Sequence, residues 1–168
     1  METVIQKAVE LGAAEIVPVA SRRCVVRLDA KKAAAKVKRW NAVAANAAEQ
    51  AMRMAVPSVQ EVMELPAALA YAAAMTSPGG AEPVLLMPYE RARDMAQTRR
   101  ILGQIRPGQT VAVLIGPEGG FEEPEAAQAE AAGFAPVTLG KRILRTETAG
   151  MAVLSVLAYL LEEDGGPS

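Results

Sequence analysis

Short apolar segments alternate with helical segments along this chain, and this alternation limits the possible folds more than any other feature. "TVAVLI" (110–115) is the strongest predicted strand, because its run of apolar residues suits burial on both faces. Helical patterns separate it from the strand-like segments "VLLM" (84–87) and "PVTL" (136–139). Strands that alternate with helices pair in parallel, so the sequence predicts a doubly wound α/β fold, a mostly parallel sheet with helices on both faces.

The remaining predicted elements extend this pattern over a single domain of 168 residues. The last helix is apolar nearly all round, which indicates a place in the core or in an interface. Glu49 and Arg53 lie four residues apart on a predicted helix, so we expect an ordinary ion pair there. Helices are predicted at 2–11, 31–54, 66–75, 91–103, 124–132 and 146–161, strands at 15–20 and 58–63, and a loop or edge strand at 22–28.

Composition excludes several kinds of chemistry. The chain has no histidine, which removes histidine bases, Ser-His-Asp triads and histidine-bound metals together. Cys24 is the single cysteine, so no internal disulfide framework and no cysteine metal cluster is expected. The sequence therefore predicts a protein without metal. No apolar run approaches the roughly 20 residues of a membrane span, and no leader is recognisable, so a cytoplasmic protein is predicted.

The formal net charge is -1, so nucleic-acid binding would need a local basic patch. Basic residues do cluster, although each cluster could be an ordinary solvated face, and that is the better interpretation for Lys31 to Arg39. The other clusters contain Arg22, Arg23 and Arg27, then Arg91, Arg93, Arg99 and Arg100, and finally Lys141, Arg142 and Arg145.

Two chemically unusual segments follow predicted strands, where ligands of such sheets bind. "IGPEGG" (115–120) contains three glycines but lacks the Lys, Ser and Thr of a P-loop. Its backbone could contact the edge of an adenine ring, or the glycines could serve the turn geometry alone. "LGKRILRTETAG" (139–150) places Ile143 and Leu144 between arginines, which suits the wall of a pocket for a flat ring, or else a core-facing pair with solvated neighbours.

Together, "IGPEGGF" and "LGKRILRTETA" closely resemble the SPOUT-class RNA methyltransferases, and most closely the bacterial family that methylates N3 of a uridine in 16S ribosomal RNA. "QKAVELGAAEIVPV", "SRRCVV" and "AAEQAMR" support this resemblance, which covers essentially the whole chain. It implies an α/β fold with a C-terminal deep trefoil knot, S-adenosylmethionine as cofactor, a homodimer, and 16S ribosomal RNA of the small ribosomal subunit as partner.

The same resemblance implies a set of site residues. Uridine N3 must lose its proton before it can accept a methyl group, and negative charge then develops on O2 and O4. Arg145, Arg142 and Arg23 are the candidates for contacting those oxygens or a phosphate. Glu118, with Glu147 next, could take the proton or orient the base, although Glu118 could equally hold its loop, and Glu147 suits a helix start. The implied cofactor-binding residues are Leu86, Met87, Ile115, Gly116, Pro117, Glu118, Gly119, Leu139, Gly140, Ile143 and Leu144.

The chain departs from the family pattern at several places. The family carries a small β-barrel RNA-binding domain before the methyltransferase domain, and Met1 falls inside the latter, so residues 1–168 are expected to be an excised domain. Ala51 and Met52 stand where the family favours small residues, and Glu122 stands where a Ser or Thr helix cap is usual. The alternatives are a methyltransferase acting on another RNA, such as transfer RNA, and a non-catalytic nucleotide-binding α/β domain.

Overall fold

The computed structural model describes residues 1–22 and 30–161, in which helices and short parallel strands alternate. The predicted alternation and the parallel pairing are therefore confirmed. The helices are α1 (Glu2–Glu10), α2 (Ala30–Gln50), α3 (Leu65–Ala73), α4 (Met95–Leu102), α5 (Glu123–Ala131) and α6 (Thr146–Leu161). The strands are β1 (Glu15–Ile16), β2 (Val19–Ala20), β3 (Ser58–Val59), β4 (Met63–Glu64), β5 (Val84–Pro88), β6 (Val111–Val113) and β7 (Ala135–Val137).

The pairing divides into short sheets instead of one continuous sheet. β5 lies between β6 and β7 in a three-stranded parallel sheet, while β1 pairs with β3 and β2 with β4. The single strand predicted at 15–20 is split, because Pro18 lacks the N–H that a ladder needs. The Pro18 carbonyl still accepts from the Met63 amide at 2.9 Å, so the chain continues beside its neighbour.

Both faces of the three-stranded sheet are covered by helices. Leu85 and Met87 point to one face, where they pack with residues of α3 and α5, and Leu86 points to the other, where it packs with Val153 and Leu157 of α6. This alternation follows from the two-residue period of a strand. β5 is therefore the buried centre of the fold, and its carboxyl end lies in the middle of the sheet edge.

α1 and α2 form a second core with β3, in which Trp40 packs against Ile5 and Val9. α2 ends at Gln50, four residues before the predicted end. The Met52 amide donates to Glu49 O at 3.1 Å and the Arg53 amide to Ala48 O at 2.9 Å, which closes the helix with Met52 at φ +53°. The expected pairing with Glu49 is replaced, since the Arg53 guanidinium donates to the carbonyls of Val9 (3.0 Å) and Ala13 (2.6 Å) at the end of α1.

The basic helix predicted from residue 91 begins later, at Met95. Asp94 is its N-cap and accepts from the Gln97 amide at 2.9 Å, so the preceding residues belong to a turn. α6 has the predicted bounds, but it is not buried all round within the chain, because Tyr159 is 88% exposed. In the part of the chain that the structure describes, no helix is long and apolar enough to cross a membrane.

Candidate functional site

Three connections leave the same edge of the sheet, because β5, β6 and β7 are parallel neighbours. We call them the β5 turn (89–94), the β6 turn (114–122) and the β7 loop (138–145). Backbone pairing continues into two of them, since the Leu114 amide donates to Leu86 O at 2.8 Å and the Tyr89 amide to Val137 O at 3.0 Å. The two segments that the sequence singled out therefore flank the end of the central strand.

The glycines of the β6 turn have steric roles that the structure makes explicit. A Cβ on Gly116 would lie 3.1 Å from the Phe121 ring, and one on Gly120 would lie 2.9 Å from Oε1 of Glu90. Gly120 also has φ +69°, and its amide donates to Pro117 O at 2.8 Å. Gly116 and Gly120 thus let the chain pass close to side chains of its own fold, whereas Gly119 is exposed.

Carboxylates brace the end of this turn where α5 begins. Glu125 is buried, and its side chain accepts from the Glu122 amide at 2.9 Å and from the Arg22 amide at 3.0 Å. The bond to the Glu122 amide is half of a capping box around Glu122, the N-cap of α5. This capping box explains how α5 can begin after a Glu, which is an unusual N-cap residue. At the surface, Arg91 of the β5 turn pairs with Glu123; this contact lowers the pKa of Glu123 and raises that of Arg91.

The β7 loop is anchored at its start and exposed further on. The Thr138 amide donates to Oγ1 of Thr98 on α4 at 3.0 Å, and Oγ1 of Thr138 accepts from the Gly140 amide at 3.3 Å. Gly140 has φ +112°, and a Cβ there would meet nothing within 4 Å. Ile143 is 88% exposed, so it is not the core residue that the alternative interpretation required, while Leu144 is half-buried.

The predicted site residues occupy this edge, but their side chains are not equally accessible. Leu86 and Met87 are fully buried, backbone included, so neither is accessible to a ligand in this arrangement. Glu118, Arg142 and Arg145 are exposed. Arg23 lies outside the described residues. The half-buried residues of the predicted set are Ile115, Gly116, Pro117, Leu139, Gly140 and Leu144, and the predicted roles of all these residues stay predictions.

Three residues of this region were not singled out from the sequence. Glu90 lies against Gly120, Glu125 fastens Arg22 to the start of α5, and Thr146 donates through Oγ1 to Gly116 O at 3.0 Å. The spacing of Glu122 and Glu125 before an Ala-rich helix was a usable capping signal. The other two contacts join distant segments, and a single sequence carries no signal for them.

The residues available here suit an organic ligand more than a metal ion. Within residues 1–22 and 30–161, no group of three or more His, Cys, Asp or Glu residues could hold a metal. The edge offers backbone groups beside glycines, the apolar side chains of Ile143 and Leu144, carboxylates at Glu90 and Glu118, and nearby arginines. The backbone groups and apolar side chains suit a flat ring, and the arginines suit an anionic group.

Residues 1–158 match a protein family described as the RNA methyltransferase domain. The chain belongs to this family. A Bacillus subtilis protein named ribosomal RNA small subunit methyltransferase E is 34% identical over 165 residues, which cover 96% of this chain and 62% of that protein. The protein of the same name from Mesomycoplasma hyopneumoniae is 38% identical over 156 residues, covering 92% and 62%. The chain thus spans 62% of the length of each of these relatives.

Solved structures give the same picture. A ribosomal RNA small subunit methyltransferase E from Neisseria gonorrhoeae, bound to S-adenosylmethionine, matches with a TM-score of 0.77 and 39% identity, over 96% of this chain and 61% of that one. A methyltransferase from Legionella pneumophila with the same cofactor bound matches with a TM-score of 0.79 and 33% identity, over 95% and 60%. The mixed α/β fold is therefore shared with proteins that bind this cofactor.

Proposed function

We propose that this chain is the catalytic domain of an S-adenosylmethionine-dependent enzyme that methylates N3 of a uridine in 16S ribosomal RNA, in the cytoplasm. The observation that carries the proposal is the meeting of the β6 turn and the β7 loop at one sheet edge, in a chain that belongs to the RNA methyltransferase domain family. The names of its relatives and their bound cofactor support the choice of ribosomal RNA and of S-adenosylmethionine.

The cofactor is proposed to lie between the β6 turn and the β7 loop. The backbone of Ile115 to Gly119 would contact the adenine edge, and the half-buried Leu139 and Leu144 would form the apolar wall. Gly140 borders open space, so the chain leaves room for a ligand at this point. The deep trefoil knot that the family resemblance implies also belongs to this proposal.

The bound cofactor supplies an electrophilic methyl group, and the chain's residues prepare uridine N3 to accept it. Arg145 and Arg142 are proposed to face O2 and O4, where their charge would stabilise the uridine anion. Glu118, which is exposed on the β6 turn, is proposed to take the N3 proton or to orient the base. Arg23 is a third proposed contact to RNA.

A homodimer is part of the proposal, with α6 in the interface. Val156 and Leu160 are each 40% exposed and Tyr159 is 88% exposed, which is unusual for neighbouring apolar residues on one helix. An apolar groove beside Val156, lined also by Met95 and Leu102 of α4, would accept side chains of a second copy. Light scattering of the purified chain is expected to report a dimer, and a monomer at micromolar concentration would contradict this part.

Tritium transfer from labelled S-adenosylmethionine to small-subunit RNA or particles tests the proposed reaction. Phosphate contacts dominate affinity for RNA, and this chain has a net charge of only -1. We therefore expect the isolated chain to methylate naked RNA poorly, and the chain preceded by the β-barrel domain of a relative to methylate it well.

Sequencing of the modified RNA then identifies the nucleotide. A modified uridine N3 in 16S ribosomal RNA supports the proposal, and a product in transfer RNA would replace it with the alternative substrate. Full activity of the 168-residue chain alone would show that the barrel domain is not needed. No transfer by the extended protein to any RNA would contradict the proposed activity.

A further inference from the structure

One side chain joins the two segments of the proposed cofactor site. Oγ1 of Thr146 donates a hydrogen bond to the Gly116 carbonyl at 3.0 Å, across 30 residues of sequence. Thr146 is the first residue of α6 and is half-buried, and Gly116 lies in the β6 turn. The bond therefore connects the end of the β7 loop directly to the β6 turn.

This bond acts on the peptide that joins Gly116 to Pro117 in the β6 turn. The ring of Pro117 fixes its own φ angle, so the direction of the turn depends on the peptide that joins it to Gly116. Gly116 has no side chain to limit its ψ angle. A donor held on the Gly116 carbonyl fixes the plane of that peptide, and the following residues, including Glu118, take their direction from it.

The first turn of α6 also fixes the backbone of Arg145, the residue before Thr146. The Arg145 carbonyl accepts from the Ala149 amide at 2.8 Å, so the backbone of Arg145 belongs to the first turn of α6. Gly150, one turn further, lies close to Ile115, since a Cβ there would be 4.0 Å from Cγ1 of that residue. The first turns of α6 are thus fastened to the end of β6, and Thr146 provides the polar contact.

We propose that Thr146 is a positioning residue, which holds the β6 turn and Arg145 in the relative arrangement that cofactor binding requires. The inference rests on the proposed function, because it assigns the cofactor to these two segments. Thr146 is the first residue of α6, so no carbonyl of a preceding helical turn is available to its hydroxyl, which donates to the β6 turn.

The test compares Thr146→Val, which keeps the shape and loses the donor, with Thr146→Ser, which keeps the donor. Thr148→Val is the matched control, because it makes the same change at an exposed position two residues along the same helix. Titration calorimetry with S-adenosylmethionine is expected to show about fivefold to tenfold weaker binding for Thr146→Val, the effect of one lost hydrogen bond. Thr146→Ser and Thr148→Val are expected to bind like the parent chain.

Amide hydrogen exchange without cofactor gives a second readout that does not depend on the proposed function. Exchange in the segment 113–120 is expected to be faster in Thr146→Val than in Thr148→Val, and restored in Thr146→Ser. If Thr146→Val does not fold, Thr146→Ala replaces it in both experiments.

The outcomes separate the inference from the proposed function. Parent-like binding and exchange in Thr146→Val, or a Thr146→Ser variant that behaves like Thr146→Val, would overturn the inference. A parent chain that binds no S-adenosylmethionine would overturn the proposed function, and unchanged exchange in segment 113–120 would then overturn the structural coupling as well. Faster exchange would support the coupling alone.

Discussion

The β6 turn and the β7 loop leave the same edge of the sheet, but they are built differently. In the β6 turn, Phe121 packs against Gly116, Glu90 lies against Gly120, and Thr146 holds the Gly116 carbonyl. In the β7 loop, the Thr98–Thr138 bond anchors the start, after which Arg142, Ile143 and Arg145 are exposed. Contacts with neighbouring side chains thus determine the shape of the β6 turn, whereas the β7 loop exposes side chains that an approaching molecule could contact.

We infer from this difference that the β6 turn and the β7 loop have different roles in the proposed enzyme. A turn that is already fixed can bind a compact cofactor with little cost of ordering, which favours affinity. Exposed arginines are suited to a polyanion that arrives later and to charge that develops in the reaction. Changes in the glycines of the β6 turn should therefore affect cofactor affinity or stability, and changes in the exposed arginines of the β7 loop should affect turnover.

Arg145→Ala is expected to give the largest effect. Removal of charge next to the reacting base should lower the single-turnover rate constant of methyl transfer by about 100-fold or more, while affinity for S-adenosylmethionine changes less than about twofold. Single-turnover assays on small-subunit particles, with the extended protein at fixed salt, measure the first quantity and calorimetry the second. Arg100→Ala, an exposed arginine on α4, is the control and should keep normal turnover. Normal turnover in Arg145→Ala would show that this arginine has a structural role and does not take part in the reaction.

Glu125→Ala tests whether the brace at the end of the β6 turn is structural. The change leaves the amides of Glu122 and Arg22 without their buried acceptor, so the free energy of unfolding should fall by about 2 kcal/mol. Urea denaturation measures the loss. Glu130→Ala, at an exposed position of the same helix, should change stability by less than about 0.5 kcal/mol. Equal stability of the two variants would show that the buried carboxylate of Glu125 does not stabilise the end of the β6 turn.

Gly120→Ala should weaken S-adenosylmethionine binding by about tenfold. A Cβ at φ +69° strains the backbone of the β6 turn at the proposed site, while the carboxylate of the exposed Glu90 side chain can move aside. Gly80→Ala is the matched control, because Gly80 has φ +83° but open space around it. Both variants should lose similar stability in thermal melts, and Gly120→Ala alone should lose affinity. If both bind equally well in calorimetry, the glycine serves only the turn geometry.

Glu123→Gln should give the smallest effect, because its ion pair with Arg91 lies at the surface. The pair lowers the folded-state pKa of Glu123, so any stability that it adds is present at neutral pH. That contribution disappears as the pH falls through the lowered pKa. Denaturation midpoints of the parent and the variant should therefore differ slightly at pH 7 and converge in acid. A large difference at pH 7 would show that the β5 turn depends on this bridge.

The mixed α/β fold was predictable from local patterns, whereas the location of the site stays a prediction. The apolar run at 110–115 predicts a strand buried on both faces, but β6 covers only Val111–Val113 and is half-buried at the edge of the sheet, whereas β5 is the buried central strand. α6 has the predicted bounds. The strand predicted at 15–20 was wrong as one element, because Pro18 interrupts the ladder within an otherwise suitable run.

The contacts that join distant segments were not predictable. Arg53 was expected to pair with Glu49, but it donates to the end of α1, and this depends on how two helices pack. The bond from Thr146 to Gly116 likewise depends on the path of the chain, which local spacing does not determine. The spacing of apolar residues and the residues typical of turns thus predict helices and strands, whereas tertiary packing determines which side chains contact each other.

Mapping of cofactor contacts by amide NMR tests the central claim most directly. S-adenosylmethionine is titrated into the isotopically labelled chain, and the shifted amides are assigned. We predict saturable binding with the largest shifts in residues 115–120 and 139–146, and small shifts in α1 and α2. Saturable binding with shifts confined to α1 and α2, or no binding at millimolar cofactor, would contradict a cofactor site formed by the β6 turn and the β7 loop.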